Sequence, residues 1–288
     1  MPMSHTPRRI DHLVFAVHDL DAAGALYQRL GFQVGPRNRH PWGTENRLIQ
    51  FGSSFIELIT VGGGAKALPG HEPGRFSFGG FVRDYLSQGE GFAMLALESD
   101  DAAVDAARFA REGIGAFEPF FFERQGRRPD GSETHVAFTL AFAREPGAPR
   151  AGFFLCQHHF PENFWNPALQ RHENRASAIA EVGMIATLPQ KHRAFLSVFS
   201  GTLAHEDERG RLALHMRGSR LTVGSAATDD GNLQLHSLTV CIPDAEAQAD
   251  RLKKVNISFA ATADGLRIAA GTAFGVTILF SHGPPRTD

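Results

Sequence analysis

Ile10-Asp-His-Leu-Val-Phe-Ala-Val17, then Asp19-Leu20-Asp21, then an apolar stripe through Leu20, Ala23, Tyr27 and Leu30 stopped by Gly31, is the stretch that decides the fold. An unbroken apolar run suits a strand covered on both faces. Asp is a helix-opening residue and Gly a helix-ending one. The same grammar returns three times. Phe92-Ala-Met-Leu-Ala-Leu97 leads through Asp100-Asp101 to a helix predicted on Val104, Ala107 and Ala110, ending at Gly113. Ala180-Glu-Val-Gly-Met-Ile-Ala186 leads through Pro189 to His192, Phe195, Phe199 and Gly201. Leu235-His-Ser-Leu-Thr-Val-Cys-Ile242 leads through Pro243-Asp244 to Ala245, Ala249, Leu252 and Val255. Internal repeats of this kind fix architecture before local detail.

After each helix come short apolar runs separated by turn residues, which predict strands. They cover 32–34, 47–51 and 55–61 in the first copy and 117–122, 135–142 and 152–158 in the second. The third copy supplies 202–205, 212–216 and 221–225, and the fourth 257–260, 266–270 and 276–281. The unit is βαβββ, and the class is α+β. Four modules pair into two halves: residues 1–175, with modules 10–61 and 91–160, and residues 176–288, with modules 179–225 and 233–282.

Composition bounds the function. Hydrophobic residues make up 42% and charged residues 21%, as in a soluble globular protein with a core. A net charge of −2 gives no reason to expect nucleic acid or a membrane surface as partner. Nothing resembles a transmembrane span, residues 1–9 lack the apolar stretch of a secretory signal, and a cytoplasmic location is the default expectation. Cys156 and Cys241 fall in strands of different copies and read as small buried hydrophobes, not a disulfide. The chain carries 24 Phe against 2 Tyr and 2 Trp, and 14 His. The Phe rings fill a sheet core or line an apolar ligand cavity.

Paired βαβββ modules opening on an Ile-Asp-His strand resemble the vicinal oxygen chelate superfamily, which includes glyoxalase I, extradiol dioxygenases and the bleomycin-resistance proteins. Ile10-Asp-His12 and Phe55-Ile-Glu-Leu-Ile59 carry the resemblance at residue level. His40-Pro-Trp-Gly-Thr-Glu-Asn46 and His158-His-Phe-Pro-Glu-Asn-Phe-Trp165 are similar to a glyoxalase-like branch of it. The resemblance implies two glyoxalase-like halves, each with two modules set edge to edge around a cavity. It further implies a divalent metal (Zn, Ni, Mn or Fe) held by first and last strands, a small-molecule ligand with adjacent oxygens, and a possible homodimer. A metal-dependent lyase or isomerase is the leading expectation. The alternative is a metal-free small-molecule-binding protein of the bleomycin-resistance type.

Glu57 is the most informative residue. Strand alternation puts it on one face with Phe55 and Ile59, where a lone carboxylate is costly unless paired or bound to a metal. In the family arrangement His12 comes beside it, and Glu57 would serve as ligand and base at once. A buried His–Glu hydrogen bond without metal is the plainer reading. Matching Ala16-Val17 to Ala96-Leu97 puts Phe92 at the His12 position and Leu155 or Cys156 at the Glu57 position. His236 and Glu181 match His12 in the later copies, with Thr222 and Thr277 on their last strands. Neither half therefore shows the His-His-Glu set of an extradiol iron site, and that activity ranks below the lyase or isomerase expectation. Gln157, or else His158 or His159, would complete the metal shell. His40, Thr44 and Asn46 form a loop suited to substrate contacts or to turn hydrogen bonds. His172 and Asn174, in the connection between halves, would cross a cavity mouth or tie the linker down, and Trp165 would strap the two halves together. Arg124, Arg127 and Arg128 flank a hairpin turn with a solvated tip. The C-terminal half, with shorter modules and fewer polar inward positions, reads as structural or interfacial.

Overall fold

The computed structural model describes residues 7–63, 68–127, 133–228 and 231–282. Residues 1–6 and the turn at 128–131, both considered above, lie outside these.

Two eight-stranded mixed sheets form, one from each half. In the first, β1 (Ile10–Ala16) and helix α1 (Leu20–Arg29) precede β2 (Asn38–Arg39), β3 (Thr44–Gln50) and β4 (Phe55–Val61). After helix α2 (Phe78–Leu86) come β5 (Gly91–Glu98), α3 (Ala102–Arg111), β6 (Phe120–Arg127), β7 (Glu133–Ala143) and β8 (Gly152–His158). A short helix α4 (Pro161–Phe164) leads into the second half. That half holds β9 (Ala178–Ala186), α5 (Arg193–Ser200), β10 (His205–Glu206), β11 (Leu212–Met216) and β12 (Ser219–Ser225). It ends with β13 (Gln234–Ile242), α6 (Ala245–Lys254), β14 (Ala260–Thr262), β15 (Gly265–Ile268) and β16 (Thr277–His282). Strand order is β2-β3-β4-β1-β5-β8-β7-β6 in one sheet and β10-β11-β12-β9-β13-β16-β15-β14 in the other. Each sheet is thus two βαβββ modules joined by their first strands. The class and the module count expected from the repeat hold.

Local differences have local causes. The predicted 32–34 strand is irregular, and the first module's extra strand is only β2. On α3 the buried stripe is Ala102, Asp105, Ala106 and Phe109, while Val104 is 61% exposed. Counting only apolar residues passed over Asp105, which is buried because Ser99 Oγ donates to it at 2.6 Å and Arg8 pairs with it. Helix α2 gave no signal because its first turn contains Gly79-Gly80, poor helix formers. Ser77 Oγ caps it by accepting the Gly80 N–H at 3.1 Å. Glycine is required at 80, where a Cβ would lie 2.5 Å from the Pro69 carbonyl oxygen.

One continuous core lies on the helix-bearing faces of both sheets and joins the halves, with Phe153 packed 5.0 Å from Phe195 and Phe32 stacked 5.8 Å from Phe280. The opposite face of the first sheet has its own cluster, where Phe78, Val82 and Leu86 of α2 cover Val14, Ile59 and Met94. No helix among the described residues is long and apolar enough to cross a membrane.

Candidate functional site

The β1–β5 pairing steps from Ile10↔Leu97 to His12↔Ala96, so β1 carries one extra residue. Such a bulge leaves two neighbours on one side of the strand. Ile10, Leu13 and Phe15 accordingly face the helices, while Asp11 and His12 are both available to the other face. In the parallel β1–β4 ladder His12 lies opposite Phe55 and Val14 opposite Glu57. The His12 ring stacks on Phe55 at 4.3 Å, and its Nε2 lies 3.9 Å from Glu57 Oε2.

Glu57 is 5% exposed. Its Oε1 accepts from Asn46 Nδ2 at 2.5 Å and lies 3.8 Å from His40 Nε2. His40 sits in the β2–β3 hairpin, where Gly43 adopts a left-handed φ of 99°. Its Nδ1 bonds Thr44 Oγ1 at 2.8 Å, and its ring stacks on Trp42 at 4.5 Å. Burial lowers the His40 pKa, Glu57 opposes that, and the charges of Arg124 and His12 lower it further. His40 is therefore a neutral imidazole near pH 7.

Asp11 bridges two histidines. Its Oδ1 lies 2.5 Å from His12 Nδ1 and its Oδ2 2.9 Å from His158 Nε2. Burial pushes its pKa up, but the close approach of His158 and the hydrogen bond from His12 outweigh burial and hold it well below the usual carboxylate range. An ionised carboxylate only accepts, so His12 Nδ1 carries the proton and, in the neutral ring, Nε2 presents a lone pair toward Glu57. Cys156, also buried here, has its thiol pKa pushed well up by burial and by the adjacent Asp11 carboxylate. Asp11, His12 and Cys156 each offer one possible ligand atom, all within 4.8 Å of one another.

Around these groups lies a cavity of about 70 Å³, walled by Trp42, Phe55, Phe122, Phe138, Phe154 and Phe164. Gln50 holds Phe164 over it, donating to the Phe164 carbonyl at 3.0 Å and accepting the Asn166 N–H at 2.9 Å.

The structure brings His12, Glu57, His40, Thr44 and Asn46 together. Three expected site residues lie elsewhere. Gln157 points to the start of α3, where Oε1 accepts the Ala102 N–H at 3.1 Å and Nε2 donates to the Asp100 carbonyl at 3.0 Å. Along β8 it is Cys156 that lines the cavity, one residue out of register with Gln157. His172 accepts the Gln33 N–H at Nδ1 and donates from Nε2 to the Gln50 carbonyl, both at 2.9 Å. Asn174 donates to the Leu30 carbonyl at 3.0 Å and accepts the Ala176 N–H at 3.0 Å. Both tie the linker to the first module. His172→Ala should lower stability by about 1–3 kcal/mol by stranding two backbone groups. Burial keeps the His172 pKa below its ordinary 6.5, so its contribution is present above that value and lost as pH falls through it. Urea denaturation from pH 8 to pH 5 should therefore show a shallower slope in the variant. Trp165 packs on Phe55 at 6.1 Å and His158 at 5.9 Å, within the first half, and does not bridge the halves through these rings.

Simple alternation sends Asp11 to the helix face, and the bulge in β1 brings it to the cavity face instead. The module alignment also shifts. Symmetric pairing (His12↔Ala96, Val14↔Met94) equates His12 with Met94, whereas Phe92 faces the helices, 5.0 Å from Phe15. In the second half, the ladders β12–β9 and β9–β13 put Glu181 and Ser237 at the His12 position, and Thr222 and Leu279 at the Glu57 position. That half is more polar inward than expected. Glu181 accepts from Thr222 Oγ1 at 2.7 Å, Arg211 Nη1 at 2.9 Å and Arg220 Nε at 2.5 Å, beside an open cleft of about 830 Å³.

A family model described as a glyoxalase-like domain matches residues 10–199. No curated protein matches the chain. Among solved structures, a hypothetical protein from Staphylococcus aureus superposes with a TM-score of 0.65 at 14% identity, covering 96% of this chain and 100% of that one. A mutant of 4-hydroxymandelate synthase from Streptomyces coelicolor gives a TM-score of 0.55 at 11% identity, covering 98% and 95%. The 2,2',3-trihydroxybiphenyl 1,2-dioxygenase of Sphingomonas wittichii strain RW1 gives 0.52 at 14%, covering 96% and 91%. At these identities the likeness is one of fold.

Proposed function

The chain belongs to the glyoxalase-like domain family, and on that premise we propose that its N-terminal cavity is the active centre of a divalent-metal enzyme of lyase or isomerase type. The substrate is a small molecule with two adjacent oxygens. The observation that carries this reading is the arrangement at Glu57, whose two oxygens each face an imidazole Nε2, at 3.9 Å for His12 and 3.8 Å for His40. A buried carboxylate flanked by imidazoles suits first-row divalent ions, and a carboxylate on the far nitrogen of a ligating histidine is the usual supporting partner. His12 and Glu57 would hold the ion, with His40 beside the other Glu57 oxygen. When bound, a divalent ion supplies Lewis-acid polarisation of the substrate oxygens.

The protein's own residues do the rest. Asp11 fixes the His12 tautomer. Asn46 donates to one Glu57 oxygen and orients the other toward His12. Glu57 accepts a proton from the carbon beside a substrate carbonyl and returns it to the neighbouring position. The Phe walls and α2 exclude water, which strengthens every polar interaction inside.

A metal-free binding protein is the second reading. Met94 and Phe154, at the positions of His12 and Glu57 in the second module, have no strong ligand atom and favour it.

Elemental analysis of protein purified without added metal, then reconstituted with Zn²⁺, Mn²⁺, Ni²⁺ or Fe²⁺, tests the choice. About one ion per chain is expected, lost in His12→Ala and Glu57→Gln with the circular dichroism spectrum unchanged. Folded wild-type protein that takes up no ion would leave only the binding reading.

A further inference from the structure

We propose that Asp11, His12 and Cys156 form a second ion position, on the side of the His12 ring away from Glu57, that takes a soft, thiol-seeking metal ion and excludes an ion from the Glu57 side. The position stands on its own geometry, and only the exclusion rests on the assignment at Glu57 above.

The bulge in β1 turns two neighbouring residues to the same face, and β8 brings Cys156 beside them across β5. All three side chains are buried, and one ligand atom from each lies within 4.8 Å of the other two. Two ligands of one ion stand at most about 4–5 Å apart, the sum of two bonds of about 2.0–2.5 Å. The spacing is therefore that of one coordination shell. His12 and Cys156 both line the cavity, from which an ion reaches them.

A fourth group points the same way. His158 Nε2 lies 2.9 Å from Asp11 Oδ2, and the His158 side chain is 10% exposed. Neither of its ring nitrogens has a hydrogen-bond partner among the described residues. Buried polar nitrogens are normally satisfied. A nitrogen this close to a carboxylate oxygen without hydrogen-bond alignment has the relation of two ligands that share an ion, not a proton. His158 thus offers a further donor at the Asp11 end.

His12 makes the two positions exclusive. Its Nδ1 lies 2.5 Å from Asp11 and its Nε2 3.9 Å from Glu57. A neutral imidazole has one lone pair and one N–H. With the lone pair on Nε2, Asp11 accepts the Nδ1 proton. With an ion on Nδ1, the proton sits on Nε2, and Glu57 becomes the carboxylate that supports the far nitrogen. The two carboxylates exchange roles. Cys156 decides which ions choose the second arrangement, because thiolate is a soft ligand whereas Mn²⁺ prefers carboxylate and water oxygens. On binding, the Cys156 S–H bond breaks, a sulfur–metal bond forms and the proton leaves to solvent. The thiolate and the Asp11 carboxylate together offset the charge of a dication.

Titration of the metal-free full chain with Cd²⁺, followed by ultraviolet absorption and cadmium NMR, tests the proposal. About one Cd²⁺ per chain and a thiolate-to-cadmium charge-transfer band are expected in wild type. The same band is expected in Glu57→Gln and in Cys241→Ser, which removes the chain's other cysteine. In Cys156→Ser the band should vanish and Cd²⁺ affinity fall by at least about tenfold. The His12 nitrogen signals should show the proton moving from Nδ1 to Nε2, and Mn²⁺ held by the wild type should leave as the band grows. No band in wild type, a band that survives in Cys156→Ser, or one lost in Glu57→Gln would each overturn the position. Should Cys156→Ser fail to fold, the cadmium chemical shift of the wild type decides, since sulfur ligation moves it far from the range of oxygen and nitrogen ligands. Mn²⁺ retained beside the full band would overturn the exclusion. The two readings fail separately. Protein that takes up no Mn²⁺ yet gives the Cys156-dependent band loses the Glu57 centre and keeps this position, and protein that holds Mn²⁺ without giving the band does the reverse.

Discussion

Asp11→Ala is expected to destabilise the fold by about 1–3 kcal/mol, the range for leaving a buried hydrogen-bonding group without its partner. The carboxylate sits between His12 and His158, at 2.5 Å and 2.9 Å, in surroundings that include Phe55, Phe154 and Phe164. Its loss leaves His12 Nδ1 without an acceptor, and the ring is then free to change tautomer or rotate. Affinity for a divalent ion should drop by about 10–100-fold, as when the supporting carboxylate of a ligating histidine is removed. The pH dependence has a definite sign. The folded carboxyl titrates below its ordinary 3.8, so its contribution is complete above that value and fades as pH falls toward the folded one. Urea midpoints of wild type and Asp11→Ala should be furthest apart near neutrality and converge in acid. A gap that stays constant from pH 7 to pH 3 would show that Asp11 acts by packing alone.

Phe153→Ala is expected to cost about 3–5 kcal/mol and to destabilise both halves together. Phe153 is 0% exposed and belongs to β8 of the first sheet, yet its ring contacts Phe195 at 5.0 Å and Phe199 at 5.4 Å, both on α5 of the second half. Phe109 of α3 reaches the same Phe199 at 6.2 Å. Truncating Phe153 opens a cavity in the core the two sheets share. The two tryptophans, Trp42 and Trp165, lie in the first half, while far-ultraviolet circular dichroism reports on the whole chain. Coincident transitions by the two signals, both shifted by the mutation, are expected of a single cooperative unit. A circular dichroism midpoint that moves while the fluorescence midpoint stays would mean that the halves unfold independently.

Much of the site was legible in residue order. Glu57 stands alone among apolar neighbours on its strand, His12 heads an apolar run, and a parallel β1–β4 ladder makes them near neighbours. His40, Thr44 and Asn46 share a hairpin whose Pro41 and Gly43 mark it as a turn, so local geometry alone draws them together. Gln157 was misplaced for a different reason. Alternation along β8 is reliable, but which parity faces inward depends on the register against β5, and Leu97↔Leu155 with Glu98↔Cys156 is a tertiary fact. The Phe92 alignment failed for the same reason, since identical-looking apolar strands can be matched at several offsets.

Residue order by itself determined the four-fold βαβββ repeat, because apolar runs and helix-capping residues act over a few neighbours and need no distant partner. It also determined which polar side chains had to be explained, since a buried carboxylate is costly unless it is paired or bound to a metal. Only the tertiary structure decided that Asp11 joins His12 on the cavity face and that His172 and Asn174 serve the linker. Those outcomes turn on a one-residue bulge and on strand register. Both are set by the sum of contacts across a whole sheet, which no short window of sequence contains.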